Sequence, residues 1–146
     1  MSQDSLYQDT IHKFLTVYRY LRESSRQMHE EGLSGRKIAA LRYLLEVGPR
    51  TVGQIGDYLY VSESSTSELL AWLQSKGFVT RTRSEADNRV VHVDLTPAGR
   101  EVIRGTPLAG VPLLRHVLQT LPAERLSAIG AAMTDLMHLL ELDYEN

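Results

Sequence analysis

Two groups of side chains in the middle of the chain have types and spacings suited to gripping a polyanion. Ser62, Ser64, Ser65 and Ser67, with Thr66 among them, put five hydroxyls into six consecutive residues. Further on, Arg81, Arg83 and Arg89 bracket the polar run Ser84, Glu85, Ala86, Asp87 and Asn88, and Lys76 stands between the two groups. Hydroxyls donate to phosphate oxygens or to base acceptors, and a helix N-terminus that carries them favours phosphate further. Arg81 and Arg83 suit phosphate contacts, which add salt-dependent affinity without sequence choice. Arg89 either enters a minor groove, where a narrowed A·T stretch concentrates negative potential, or is held in an ion pair with Asp87 or Glu85. Asp87 is expected to brace the tip with Arg81 or Arg83 as its partner, because a carboxylate beside phosphates is repelled. Ser62 and Thr66 are equally suited to capping or core positions.

These groups need a helix and a ribbon to hold them. Ser62 is a good N-cap, and Leu69, Leu70, Trp72 and Leu73 supply an apolar stripe after the hydroxyl-rich first turn. Gly77 ends that helix. Phe78 and Val79 open a short β run, and Val90, Val91 and Val93 form the returning one. Upstream, Thr51 caps another helix, and Gln54 three residues later completes a capping box. Ile55 and Leu59 face its core, Gly56 is explained by close approach to the next helix, and Tyr60–Val61 is the turn. Thr51–Leu59 and Ser62–Ser75 thus form a helix-turn-helix, followed by a basic β-hairpin: a winged helix, an arrangement that reads DNA.

Composition sets the surroundings. A chain of 146 residues is one domain's worth, and its 42% hydrophobic and 23% charged content suits a globular protein. No signal peptide and no bilayer-spanning apolar run are found, so the cytoplasm is the expected location. The absence of cysteine removes disulfides and thiolate zinc sites. The net charge is −2, yet from Arg36 to Arg104 ten Lys/Arg stand against eight Asp/Glu, while the flanks hold six against ten. Positive charge is therefore gathered around the winged helix. His12, His29, His92, His116 and His138 show no i, i+4 pairing, so neither metal nor cofactor is expected. No nucleophile–base pair, Gly-rich phosphate loop or paired-carboxylate spacing stands out, which argues against an enzyme.

Both flanks are helical. Tyr7, Ile11, Phe14, Tyr18, Leu21, Ser25 and Met28 alternate spacings of four and three, which puts them on one face of a long helix ending at Gly32. That face packs either on its own domain or in a dimer interface. A helix from Ser34 to Val47 turns Ile38, Leu41, Leu44 and Leu45 inward and is stopped by Gly48–Pro49. After the ribbon, Thr96 caps a helix with Pro97 at its first position. The pattern breaks at Gly105–Pro107 and again at Gly110–Pro112, then resumes from Leu113 to Thr120. Pro122 starts the last helix, whose stripe is Leu126, Ile129, Met133, Leu136 and Leu140. The predicted fold is mainly α with a small β-wing. Residues 1–33 and 105–146 form a helical dimerisation region around a winged helix-turn-helix at 34–104.

The order of these elements and several residue runs resemble the multiple-antibiotic-resistance regulator (MarR) family of winged-helix transcription factors. The runs are Leu69 to Val79, the wing tip Asp87-Asn88-Arg89, and Leu95-Thr96-Pro97-Ala98-Gly99-Arg100. The resemblance implies a homodimer with interlocked first and last helices, binding double-stranded DNA at a palindromic operator through Ser62, Ser64, Ser65, Ser67, Lys76, Arg81, Arg83 and Arg89. It also implies a small aromatic or phenolic effector that releases a repressor, with Tyr18, Arg22, His29 and Tyr43 as lining groups by family position, or as plain core and interface residues. The sequence departs from the family at Glu68, where arginine is common, and at Trp72, where a polar or basic residue is usual. With Glu63, these leave the helix short of arginine-to-guanine contacts. The alternative is a winged-helix protein-interaction module with weak or no specific DNA binding.

Overall fold

The computed structural model describes residues 1–26 and 32–142. They divide into two compact units, Met1–Pro112 and Leu113–Asn146. In the first unit, helix α1 (Gln3–Arg26) is followed by α2 (Gly35–Val47), strand β1 (Arg50–Thr51), α3 (Val52–Leu59), α4 (Glu63–Ser75), strands β2 (Val79–Arg83) and β3 (Val91–Leu95), and α5 (Pro97–Arg104). Helix α6 (Gly110–Thr120) carries the chain to the second unit, which contains α7 (Ala123–Leu139).

Local chemistry explains most of the boundaries. Thr51 Oγ1 accepts from the Gln54 backbone N–H while the Gln54 amide accepts from the Thr51 N–H, the reciprocal capping box foreseen from the sequence. Ser62 caps α4 by accepting from Ser65 N, and Thr96 caps α5 by accepting from Gly99 N, with Pro97 in the first turn. Tyr60 joins α3 to α4 in the left-handed region at φ 56°, an uncommon conformation for a bulky residue. Gly77 ends α4 at φ 77°, where a side chain would be strained.

The strand order is β1-β3-β2, antiparallel throughout, with Arg50 opposite Val93 and Arg81 opposite Val93 on the other edge. Two boundaries differ from the sequence reading. Val90 lies before β3, in the tip turn that Ser84 N–H closes by donating to Val90 O, and Phe78 lies before β2 at the base of the ribbon, where its carbonyl accepts from Thr96 N–H. β1 is an unforeseen third strand. The second helical break at Gly110–Pro112 is also absent: α6 starts at Gly110, and Pro112 sits in its first turn, where no helical N–H is needed.

One apolar core holds the winged helix together. Leu33, Leu41 and Leu44 meet Ile55 of α3, Leu69, Leu70 and Leu73 of α4, Val79 and Val93 of the sheet, and Ile103 of α5. Two close approaches fix the packing. A Cβ on Gly56 would lie 2.8 Å from Thr66 Oγ1, which explains the glycine in α3 and the burial of Thr66. A Cβ on Gly99 would overlap the Phe78 carbonyl, so α5 can lie against the start of the ribbon only with glycine there. By contrast, α1 and α7 bury no residue at all. Tyr7, Ile11, Phe14 and Tyr18 of α1 are exposed, as are Leu126, Ile129 and Met133 of α7. Met28, expected to extend the α1 stripe, lies outside the described residues, and no described helix is long and apolar enough to cross a membrane.

Candidate nucleic-acid interface

The buried side of α4 is made by Thr66, Leu69, Leu70 and Leu73. This leaves Ser64, Ser65, Glu68, Ala71, Gln74 and Ser75 exposed, with Ser67 half-buried. Ser62 and Ser64 lie at the helix start with their hydroxyl oxygens 3.4 Å apart. Ser62 has a capping duty towards Ser65 N, and Thr66 Oγ1 donates to Ser62 O at 2.8 Å inside the core. Lys76 is the C-cap residue, its Nζ 5.5 Å from the Trp72 ring.

The ribbon is tied to this helix at its base. Arg81 Nε donates to Gln74 Oε1 at 2.6 Å, so the guanidinium is directed along the helix rather than at Asp87. Arg83 Nη1 donates to Asn88 O at 2.8 Å, closing the tip from one side. Asp87 therefore meets neither Arg81 nor Arg83, and that expectation is corrected. Its Oδ1 accepts from the Arg89 backbone N–H at 3.0 Å and from Arg89 Nε at 3.2 Å. The reason is steric: the turn folds residue 89 back over residue 87, while Arg81 and Arg83 lean towards other acceptors. The Arg89 side chain remains 91% exposed, so the pair holds the guanidinium at the tip without covering it.

Between α4 and the ribbon lies an open cleft of about 270 Å³, lined by Thr51, Val52, Gly53, Glu63, Ser67, Arg89, Val90 and Val91. It brings the β1–α3 junction, the first turns of α4 and the foot of the wing tip to one place. On the opposite flank of α4, Lys37 Nζ sits 3.7 Å above the Trp72 ring and donates to Gly32 O. A Cβ on Gly32 would lie 3.0 Å from the ring edge. Sequence reasoning missed Lys37, Gln74 and β1, since none belongs to a periodic or local motif.

The described residues proposed to line an effector pocket lie on two different helices. Tyr18 and Arg22 are exposed on α1, and Tyr43 of α2 stacks on Tyr58 of α3, ring centroids 3.8 Å apart and planes within 5°. His29 lies outside the described residues. Beside the tyrosine pair, Arg42 Nη2 donates to Thr106 O at 2.9 Å, fastening α2 to the segment after α5. Burial lowers the pKa of that guanidinium, against the opposing influence of Glu46 and Tyr58. No group of three or more His, Cys, Asp or Glu that could hold a metal is found among the described residues.

With this geometry in view, a family model described as MarR family matches residues 31–89, from the end of the α1–α2 connection to the wing-tip arginine. The chain is 32% identical over 105 residues to YfiV of Bacillus subtilis, an uncharacterized HTH-type transcriptional regulator, covering 72% of this chain and 66% of that one. The chain belongs to the MarR family. It is thus a MarR-type transcriptional regulator of the DNA-binding kind, and not an enzyme. The fold itself is shared with solved structures. The regulator BldR from Sulfolobus solfataricus superposes with a TM-score of 0.63 at 23% identity, over 92% of this chain and 99% of that one. FabT of Streptococcus pneumoniae, solved in complex with DNA, gives 0.52 at 23% identity over 95% and 96%.

Proposed function

We propose that this MarR-family regulator acts as a homodimer, assembled from residues 1–33 and 105–146, that presents two winged helices of residues 34–104 to a palindromic operator. The observation that carries the reading is the clasp between Arg81 and Gln74, which makes the serine-rich α4 and the arginine-tipped ribbon one surface. In this reading Ser62, Ser64, Ser65 and Ser67 meet the major groove and its phosphate walls. Lys76, Arg81 and Arg83 add phosphate contacts, and Arg89, braced by Asp87, reaches the adjacent minor groove. FabT, a protein of similar fold, was solved in complex with DNA, which supports the DNA-binding reading.

Dimerisation is supported by the uncovered helices. Helices draw most of their stability from tertiary packing, and no residue of α1 or α7 is fully buried. A second copy covering Tyr7, Ile11, Phe14, Leu126, Ile129 and Met133 would supply that packing. Two-fold symmetry would then place the recognition helices about 34–36 Å apart, one turn of DNA.

Regulation follows the same logic. A small aromatic or phenolic effector held by Tyr18, Arg22, His29 and Tyr43 would favour a dimer with wrongly spaced recognition helices and so release a repressor in the cytoplasm. The stacked Tyr43 and Tyr58 supply an aromatic surface of the right kind.

A second reading, an interaction module with weak DNA binding, is favoured by Glu63 and Glu68, exposed on the same helix. Titration of the purified chain with DNA at several salt concentrations decides between them. Strong salt dependence together with selection of one palindrome supports the regulator, and no binding at low salt supports the module.

A further inference from the structure

Glu68 occupies a place that the DNA-binding reading does not yet explain. Residues advance about 100° around a helix, and α4 buries Thr66, Leu69, Leu70 and Leu73. The line directly opposite the core is therefore Ser64, Glu68, Ala71 and Ser75, all exposed. The two flanks are spoken for. Gln74 and Ser67 turn towards the ribbon, where Gln74 holds Arg81 and Ser67 lines the cleft with Arg89. Trp72 turns the other way, beneath Lys37 and near Lys76. A helix seated in a major groove faces base edges along its outward line and phosphates along its flanks.

On that outward line only Glu68 is long. Ser64 and Ala71, a turn to either side, are short enough to let a helix sit deep, so Glu68 alone extends to the groove floor. Among the described residues its carboxylate has no ion pair and no hydrogen bond. It is not a structural group, since its side chain is exposed and holds no neighbour. Left facing phosphate it would only repel. Facing base edges it is a pure acceptor, and the major groove offers two amino donors, N4 of cytosine and N6 of adenine. Adenine carries the N7 acceptor beside N6, which opposes the second carboxylate oxygen. Cytosine has no acceptor beside N4 on its own ring.

We propose that Glu68 is a base-reading residue that accepts from N4 of one cytosine in each half-site, with the flanking cations Arg89 and Lys37 offsetting its repulsion from the backbone. The inference rests on the DNA-binding reading above. Its test is parallel selection of bound duplexes from random DNA by the full-length protein, Glu68→Gln and Glu68→Ala.

The native protein is expected to enrich a motif with one invariant C·G pair in each half-site. Glu68→Gln should move that position to adenine, because an amide pairs with N6 and N7 together. Glu68→Ala should keep the rest of the motif and lose preference there. Replacing the C·G pair should weaken native binding by about 5- to 100-fold and the Ala variant by less than about twofold. If all three proteins enrich one and the same motif, the variants merely binding tighter, Glu68 does not read a base and the proposal is overturned while DNA binding stands. If none of the three enriches any sequence, the DNA-binding reading fails and the proposal fails with it.

Discussion

Arg81 Nε lies 2.6 Å from Gln74 Oε1, so the last residue but one of α4 and the third residue of the first wing strand are directly bonded. The bond sets the angle at which the ribbon leaves the helix. Losing a single hydrogen bond of this kind typically costs about 0.5–1.5 kcal/mol. Gln74→Ala should therefore reduce operator affinity about 2- to 12-fold. Since no charge is lost, the slope of log affinity against log salt should stay unchanged. Arg81→Ala should lower both the affinity and the slope, and titrations at three or more salt concentrations distinguish the two.

Arg89→Ala should weaken operator binding by about tenfold or more while leaving the thermal midpoint where it was. The guanidinium is almost fully exposed, and its pair with Asp87 is the kind of surface ion pair that adds little to folding. Unchanged affinity in a gel-shift titration would mean that the arginine serves only to close the tip.

Gly56→Ala and Gly99→Ala should both destabilise the fold, but unequally. At Gly56 the added methyl meets the Thr66 hydroxyl, a side-chain group that can shift, and overpacking of this type costs about 1–3 kcal/mol. At Gly99 it meets the Phe78 backbone carbonyl, which cannot move without displacing β2, so the loss should exceed that of Gly56→Ala. Urea unfolding monitored by circular dichroism gives the order directly. Equal midpoints would show that α5 slides off the ribbon at no cost.

Ile11→Asp combined with Phe14→Asp should convert a dimer to a monomer, and so should Leu136→Asp with Leu140→Asp. The α1 pair is exposed in the single chain, so the substitutions remove little intrachain packing. Analytical ultracentrifugation reads the mass, and far-ultraviolet dichroism should show helix loss, since an uncovered α1 has little to hold it. Variants that still sediment as dimers would move the interface elsewhere.

The legible parts of this chain were those encoded over three or four residues. The Thr51–Gln54 box, the Ser62 cap, the Thr96–Pro97 start and the period of α4 each depend on neighbours in sequence, and the structure places them as expected. Gly56 was legible because a glycine inside a helix needs a reason, and Thr66 supplies it. What escaped were contacts between distant residues. β1 is two residues long and carries no alternation, so only its pairing with Val93 and His92 reveals it. The Lys37–Trp72 contact joins residues 35 apart, and nothing in either local sequence announces it. The partner of Asp87 was misjudged because strand register brings Arg81 and Arg83 near in projection, whereas the tip turn brings Arg89 nearer in space.

The indole of Trp72 is the single tryptophan of the chain, and it lies on the flank of α4 with the Lys37 ammonium 3.7 Å above its ring. All tryptophan emission therefore comes from one spot beside the surface proposed to meet DNA. Drawing the lysine towards a phosphate, or replacing water around the indole with a sugar edge, would change the colour and yield of that light. The protein thus carries its own optical gauge of occupancy, readable without dye or label in every titration described above.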